Sequence, residues 1–90
     1  MDLRRIGVVG AGAMGHGIAH VAAQAGYRTT LCDLDAALLE AALARVRENL
    51  DKGVERGKIE PQAAEAALAR IDTTTSLEEL AARSQLVIVA

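Results

Sequence analysis

Glycine recurs at G-x-G-x-x-G spacing in Gly10-Ala11-Gly12-Ala13-Met14-Gly15. Three positions without a β-carbon suit three separate demands. Gly10 permits a tight turn, Gly12 lets backbone approach a pyrophosphate, and Gly15 lets a helix lie close on a strand. A helix opening at this point offers unpaired N–H groups and the positive end of its dipole to phosphate oxygens. An acid completes the pattern, since Asp33 stands 18 positions after Gly15. A carboxylate there accepts hydrogen bonds from both adenosine ribose hydroxyls and repels a 2′-phosphate, which favours NAD over NADP. No arginine immediately follows Asp33 to reverse that preference. The spacing alone is common, and an FAD site or a glycine-rich turn beside a solvated Asp shares it.

Other residue types invite chemistry and fit it less well. His16 and His20 stand at i and i+4, a spacing that can present two ligands to one metal. No Glu follows His16 and no third ligand is evident, so no metal site is assigned. His16 is expected beside the turn and His20 on the helix surface. Cys32 lacks a second cysteine or a basic neighbour that would lower its pKa, so it reads as a packed thiol. Glu78 and Glu79 fall in the first turn of a predicted helix, where the dipole favours carboxylates and Ser76-Leu77-Glu78-Glu79 matches a capping box.

The elements that must hold the turn are legible around it. Arg5-Ile6-Gly7-Val8-Val9 is a short apolar run of the kind buried on both faces of a parallel sheet. After the turn, Ile18, Val21, Ala22 and Ala25 recur at helical spacing up to Gly26. Arg28–Cys32 favours a strand, and Asp35 is the expected N-cap of the longest helix. That helix carries Leu39, Leu43, Val46 and Leu50 on one stripe and should end near Gly53 or Gly57. Pro61 suits the first position of another helix, with Ala64, Leu68 and Ile71 on its inner side. A short edge strand around Thr73-Thr74-Thr75, a brief helix, and the apolar strand Leu86–Ala90 follow. This order is that of a Rossmann-type doubly wound parallel α/β sheet, incomplete at its first four strands.

Size and composition bound the rest. Ninety residues make one small domain, and 51% hydrophobic content supports a core. Tyr27 is the one aromatic residue, so Ala, Leu, Val and Ile fill the interior. A net charge of −2 argues against nucleic acid as the main partner. Acidic and basic residues are interspersed, and no patch is expected. The apolar run before the turn is too short for a signal peptide or a membrane span, and the lone cysteine suits the cytoplasm. Ending on an apolar strand with nothing to cover it, the chain reads as the front part of a larger protein.

Beyond the generic fingerprint, Ile6 to Ala19, Val21 to Gly26 and Leu31-Cys32-Asp33-Leu34-Asp35 resemble the opening of the 3-hydroxyacyl-CoA dehydrogenases. Asn49-Leu50-Asp51-Lys52-Gly53-Val54-Glu55-Arg56-Gly57-Lys58 is also similar, and it is the more discriminating match because it lies outside the cofactor pattern. The likeness spans essentially all 90 residues. It implies hydride transfer between the 3-hydroxyl of an acyl-CoA and NAD in fatty-acid or butanoate metabolism. Gly10, Ala11, Gly12, Ala13, Met14, Gly15 and Asp33 would hold the cofactor, and Ala90 would lie beside it. Val89 departs from the pattern, since many relatives carry Glu there.

The resemblance further implies that Asn49 and Arg56, with Lys52 and Lys58 nearby, meet the phosphates of coenzyme A. Glu48, Asp51, Glu55 and Glu60 alternate with those bases, which is equally how a solvated helix face looks. The family's catalytic His, with its partner Glu and the assisting Ser and Asn, lies beyond residue 90. No catalytic residue is therefore assigned, and residues 1–90 alone should bind cofactor weakly and turn over no substrate. The family's helical second domain, through which it commonly forms homodimers, is also absent from these residues. Two other readings stay open: a related hydroxyacid or sugar-acid dehydrogenase, and a nucleotide-sensing module without catalysis.

Overall fold

A computed structural model describes residues 3–90. Four parallel strands form one sheet: β1 (Arg5–Val9), β2 (Arg28–Cys32), β3 (Ile71–Thr74) and β4 (Leu86–Val89), in the order β3-β2-β1-β4. The connections are α1 (Ala13–Gln24), α2 (Ala36–Glu55), α3 (Pro61–Ala69) and α4 (Leu77–Arg83). This is the α/β architecture expected from the sequence. β1 lies centrally because the chain steps outward through β2 to β3 and then crosses back to place β4 on its other side, and that reversal is the switch point where such sheets bind ligands.

Alternation along β1 assigns the two faces. Ile6 and Val8 join Ala19, Ala22, Leu31 and Leu39 in one cluster under α1 and α2. Gly7 points the other way, and a β-carbon there would lie 2.9 Å from Leu80 of α4. A second cluster of Ala23, Val46, Leu50, Ala64, Ala67 and Ile71 joins α1, α2 and α3. Alanine on the facing surfaces lets the helices approach closely. Burying each of Leu31 and Val46 contributes about 1.5–3 kcal/mol.

The helix ends follow their expected chemistry with informative differences. Asp35 caps α2 by accepting from the Ala37 N–H at 2.9 Å, and Pro61 opens α3. Of the two expected stops for α2, Gly57 is the one used: it takes φ +70°, which costs a side chain-bearing residue energy. Gly53 lies inside the helix, beside Ile59. The capping box of α4 is only half made. Ser76 accepts from the Glu79 N–H at 3.2 Å, but the Ser76 N–H goes to Thr74 Oγ1 and Thr74 in turn donates to Glu79 Oε2.

Three other expectations are corrected. Val21 is 68% exposed, and Ala25 is exposed too, so the buried stripe of α1 runs through Gly15, Ala19, Ala22 and Ala23. Ile71 begins β3 instead of extending the inner side of α3, although it is buried as expected. By contrast, β4 is uncovered as its sequence implied, with Leu86, Val87 and Val89 exposed on an edge strand. Finally, charge is not evenly spread. Arg5, Arg28, Arg70 and Arg83 are far apart in sequence but meet where the parallel strands begin.

Candidate cofactor site

Both halves of the dinucleotide pattern meet at the carboxyl ends of β1 and β2. Gly10 leaves β1 at φ +104° and donates its N–H to Cys32 O at 2.8 Å. The register that sets Val9 beside Cys32 thereby brings Asp33 level with the turn. Asp33 Oδ2 accepts from the Ala11 N–H at 3.0 Å, and Oδ1 accepts from the Asp35 N–H at 2.9 Å. N–H donation from Asp35 and then Ala11 holds the carboxyl below the usual carboxylate range, while partial desolvation opposes them and Leu34 adds a smaller lowering. Each oxygen keeps acceptor capacity after one such bond. Asp33 is thus an ionised brace that can still receive hydroxyl donors.

The glycines show why those positions lack side chains. A β-carbon on Gly15 would lie 1.6 Å from Gly10 O, inside the turn itself. One on Gly12 would meet nothing within 4 Å. Gly12 therefore faces open space, and its missing side chain clears an approach from outside. Helix α1 has no side-chain cap and no acid in its first turn, so no carboxylate competes with a phosphate for its N–H groups. Ala90 closes the other side, donating its N–H to Val9 O at 2.8 Å and lying against Gly10. These features fit a pyrophosphate and a ribose diol.

The model of the 3-hydroxyacyl-CoA dehydrogenase NAD-binding domain matches residues 5–90. The chain belongs to that family. Its cofactor is NAD. Among curated relatives, the 3-hydroxybutyryl-CoA dehydrogenase of Mycobacterium tuberculosis is 42% identical over 88 residues, covering 98% of this chain and 30% of its own length. The 3-hydroxybutyryl-CoA dehydrogenase structure from Escherichia coli K12 superposes with a TM-score of 0.94 at 36% identity, over 99% of this chain and 19% of that one. The (S)-3-hydroxybutyryl-CoA dehydrogenase of Ralstonia eutropha gives 0.93 at 36% identity, over 99% and 31%. The chain thus spans less than a third of the length of these proteins.

Within this NAD-binding domain, the remaining residues singled out from sequence fall into four groups. Met14 is 69% exposed at the start of α1, and Ala13 lies beside it at the first helical position. His16 Nδ1 lies 3.1 Å from Gly12 O, beside the turn, whereas His20 pairs with Gln24 at 3.0 Å. Cys32 is 1% exposed, and burial, then the charges of Asp33 and Glu79, push its thiol pKa up. It is a packing residue.

Asn49 and Lys52 are exposed on α2 at i and i+3, Arg56 is exposed at its C-cap, and Lys58 lies just beyond the helix end. Lys52 pairs with Glu48 at 3.2 Å. None of the four lines any of the five main grooves among the described residues. Sequence reading missed Arg45 and Leu38, which line a groove of about 170 Å³ with Gly12 and His16 between α1 and α2. Their i, i+7 spacing on α2 was visible, but the crossing of the two helices was not. No helix among the described residues is long and apolar enough to cross a membrane.

Proposed function

We propose that this chain supplies the NAD-binding part of an enzyme that moves hydride between the 3-hydroxyl of an acyl-CoA thioester and NAD. The observation that carries the reading is the bond from the Ala11 N–H to Asp33, which joins ribose acid and glycine turn in one unit. The N–H groups of Ala13, Met14 and Gly15 would neutralise the pyrophosphate, with Gly10, Ala11 and Gly12 shaping its approach and Ala90 bounding it. The remaining lone pairs of Asp33 would take the ribose hydroxyls, and its charge would turn away a 2′-phosphate. When bound, NAD supplies the hydride acceptor. Residues 1–90 in this reading are the N-terminal portion of the dinucleotide domain, with catalytic groups supplied from elsewhere. Asn49, Lys52, Arg56 and Lys58 would hold coenzyme A phosphates from the exposed face of α2.

The test is steady-state kinetics of the complete enzyme with (S)-3-hydroxybutyryl-CoA, following reduced nicotinamide. Turnover is expected with NAD in preference to NADP. Replacing both Arg56 and Lys58 by Gln should raise the acyl-CoA KM roughly tenfold, the size of one lost charge-assisted hydrogen bond, and leave the NAD KM unchanged. An unchanged acyl-CoA KM would remove coenzyme A from α2. Tighter use of NADP would remove the role given to Asp33.

A further inference from the structure

We propose that the sheet carries a second anion site at its amino-terminal edge, about 15 Å along β1 from the glycine turn, built for a phosphomonoester dianion. Arg5, Arg28, Thr30, Asp72 and Arg83 line a groove of about 580 Å³ there. A second groove of about 590 Å³ shares Arg5 and Arg28 and adds Arg4, Gly26 and Arg70. Apart from Arg4, four arginines and one carboxylate line the two grooves among the described residues.

The arrangement works against the fold unless an anion offsets it. Arg5 and Arg28 are register partners on adjacent parallel strands, and like charges so placed repel. Asp72 compensates Arg28 at 3.4 Å, and Glu79 compensates Arg83. Arg5 and Arg70 have no carboxylate partner among the described residues. Arg5 donates through Nε to Arg83 O at 2.9 Å, and Arg70 donates to Ala23 O at 2.8 Å. Two uncompensated positive charges match one dianion. The Arg28–Asp72 pair is 58% and 40% exposed in its side chains, so it is weak and can rearrange around a ligand.

Thr30 lines the groove and is 4% exposed, and its hydroxyl makes no hydrogen bond among the described residues, so it is available to a ligand in the groove. Ser84 Oγ, next to Arg83, is buried without a partner among the described residues and lies close to Gly7, the register partner of Thr30. A phosphate oxygen in the groove would accept from the Thr30 hydroxyl. Every cation in both grooves is Arg, whose planar fork suits phosphate bidentately. No aromatic residue lines either groove, so the ligand is a phosphate group without a stacked base.

Calorimetric titration of the complete protein, with and without saturating NAD, tests this using inorganic phosphate, O-phosphoserine, a phosphoserine peptide and succinate. Saturable binding of a phosphate probe is expected, unaffected by NAD. Replacing Arg5 and Arg28 together by Gln should weaken it tenfold or more, and Thr30→Val several-fold, with NAD affinity and circular dichroism unchanged. Arg47→Gln, an exposed change on α2, should leave it intact. Equal affinity for inorganic phosphate and phosphoserine would identify the free ion as ligand; tighter peptide binding would identify a modified protein. The proposal fails if no phosphate probe saturates across the millimolar range, if NAD displaces it, if succinate binds as tightly, or if Arg47→Gln weakens binding as much.

Discussion

Gly12 and Gly15 stand three residues apart in one turn, yet an added β-carbon meets different surroundings at each. At Gly15 it would collide with Gly10 O at 1.6 Å, and backbone would have to move. At Gly12 it would enter open space on a backbone of φ −72° and ψ −163°, which alanine tolerates. Gly15→Ala is therefore expected to cost about 1–3 kcal/mol of stability and disrupt NAD binding with it. Gly12→Ala should leave the melting temperature nearly unchanged and weaken NAD binding alone. Denaturant unfolding and NAD titration of both variants check the split, and a large stability loss at Gly12 would overturn it. The glycine spacing revealed that both positions matter. It could not reveal which serves the fold and which the ligand, because that depends on how near Gly10 O lies in space.

At the scale of elements, Asp33 links two strand ends that the sheet ladder and the Gly10–Cys32 bond also join. Its place at the end of β2 was readable from the strand pattern and the 18-residue interval after Gly15. Its bond to the Ala11 N–H was not, because that needs the β1–β2 register. The same limit explains the half-made capping box. Thr74 ends β3 close enough to take both Ser76 N–H and the Glu79 carboxylate, a contact between elements that a local motif does not encode. Because the folded pKa of Asp33 is depressed, its brace contributes stability above the unfolded value and loses it as pH falls through the folded one. The turn should consequently hold its geometry through the usual carboxylate range and loosen only in stronger acid. A carboxyl-carbon NMR titration should give Asp33 a midpoint below that range, with the Ala11 amide shift moving in step. A midpoint at or above the usual range, or an Ala11 amide that ignores it, would break the link.

For the molecule as a whole, the cofactor site is assembled from parts that only the complete sheet brings together: the turn after β1, the acid after β2 and Ala90 after β4. Element order and strand direction could be read from hydrophobic period, caps and turn residues. The arginine edge could not, since it arises from residues between positions 4 and 83 that share only their place near a strand start. A site made from three strand ends exists only in the folded state, so NAD must stabilise the fold by mass action. At a hundredfold excess over Kd the gain is about 2.7 kcal/mol. A gain of that size raises the melting temperature by several degrees. Replacing Asp33 by Ala should remove most of that rise at the same NAD concentration, because it lowers affinity through both ribose recognition and the turn. Scanning calorimetry with and without NAD measures the difference. A rise that survives Asp33→Ala undiminished would mean that the turn binds phosphate without its acid, and that the two strand ends act independently.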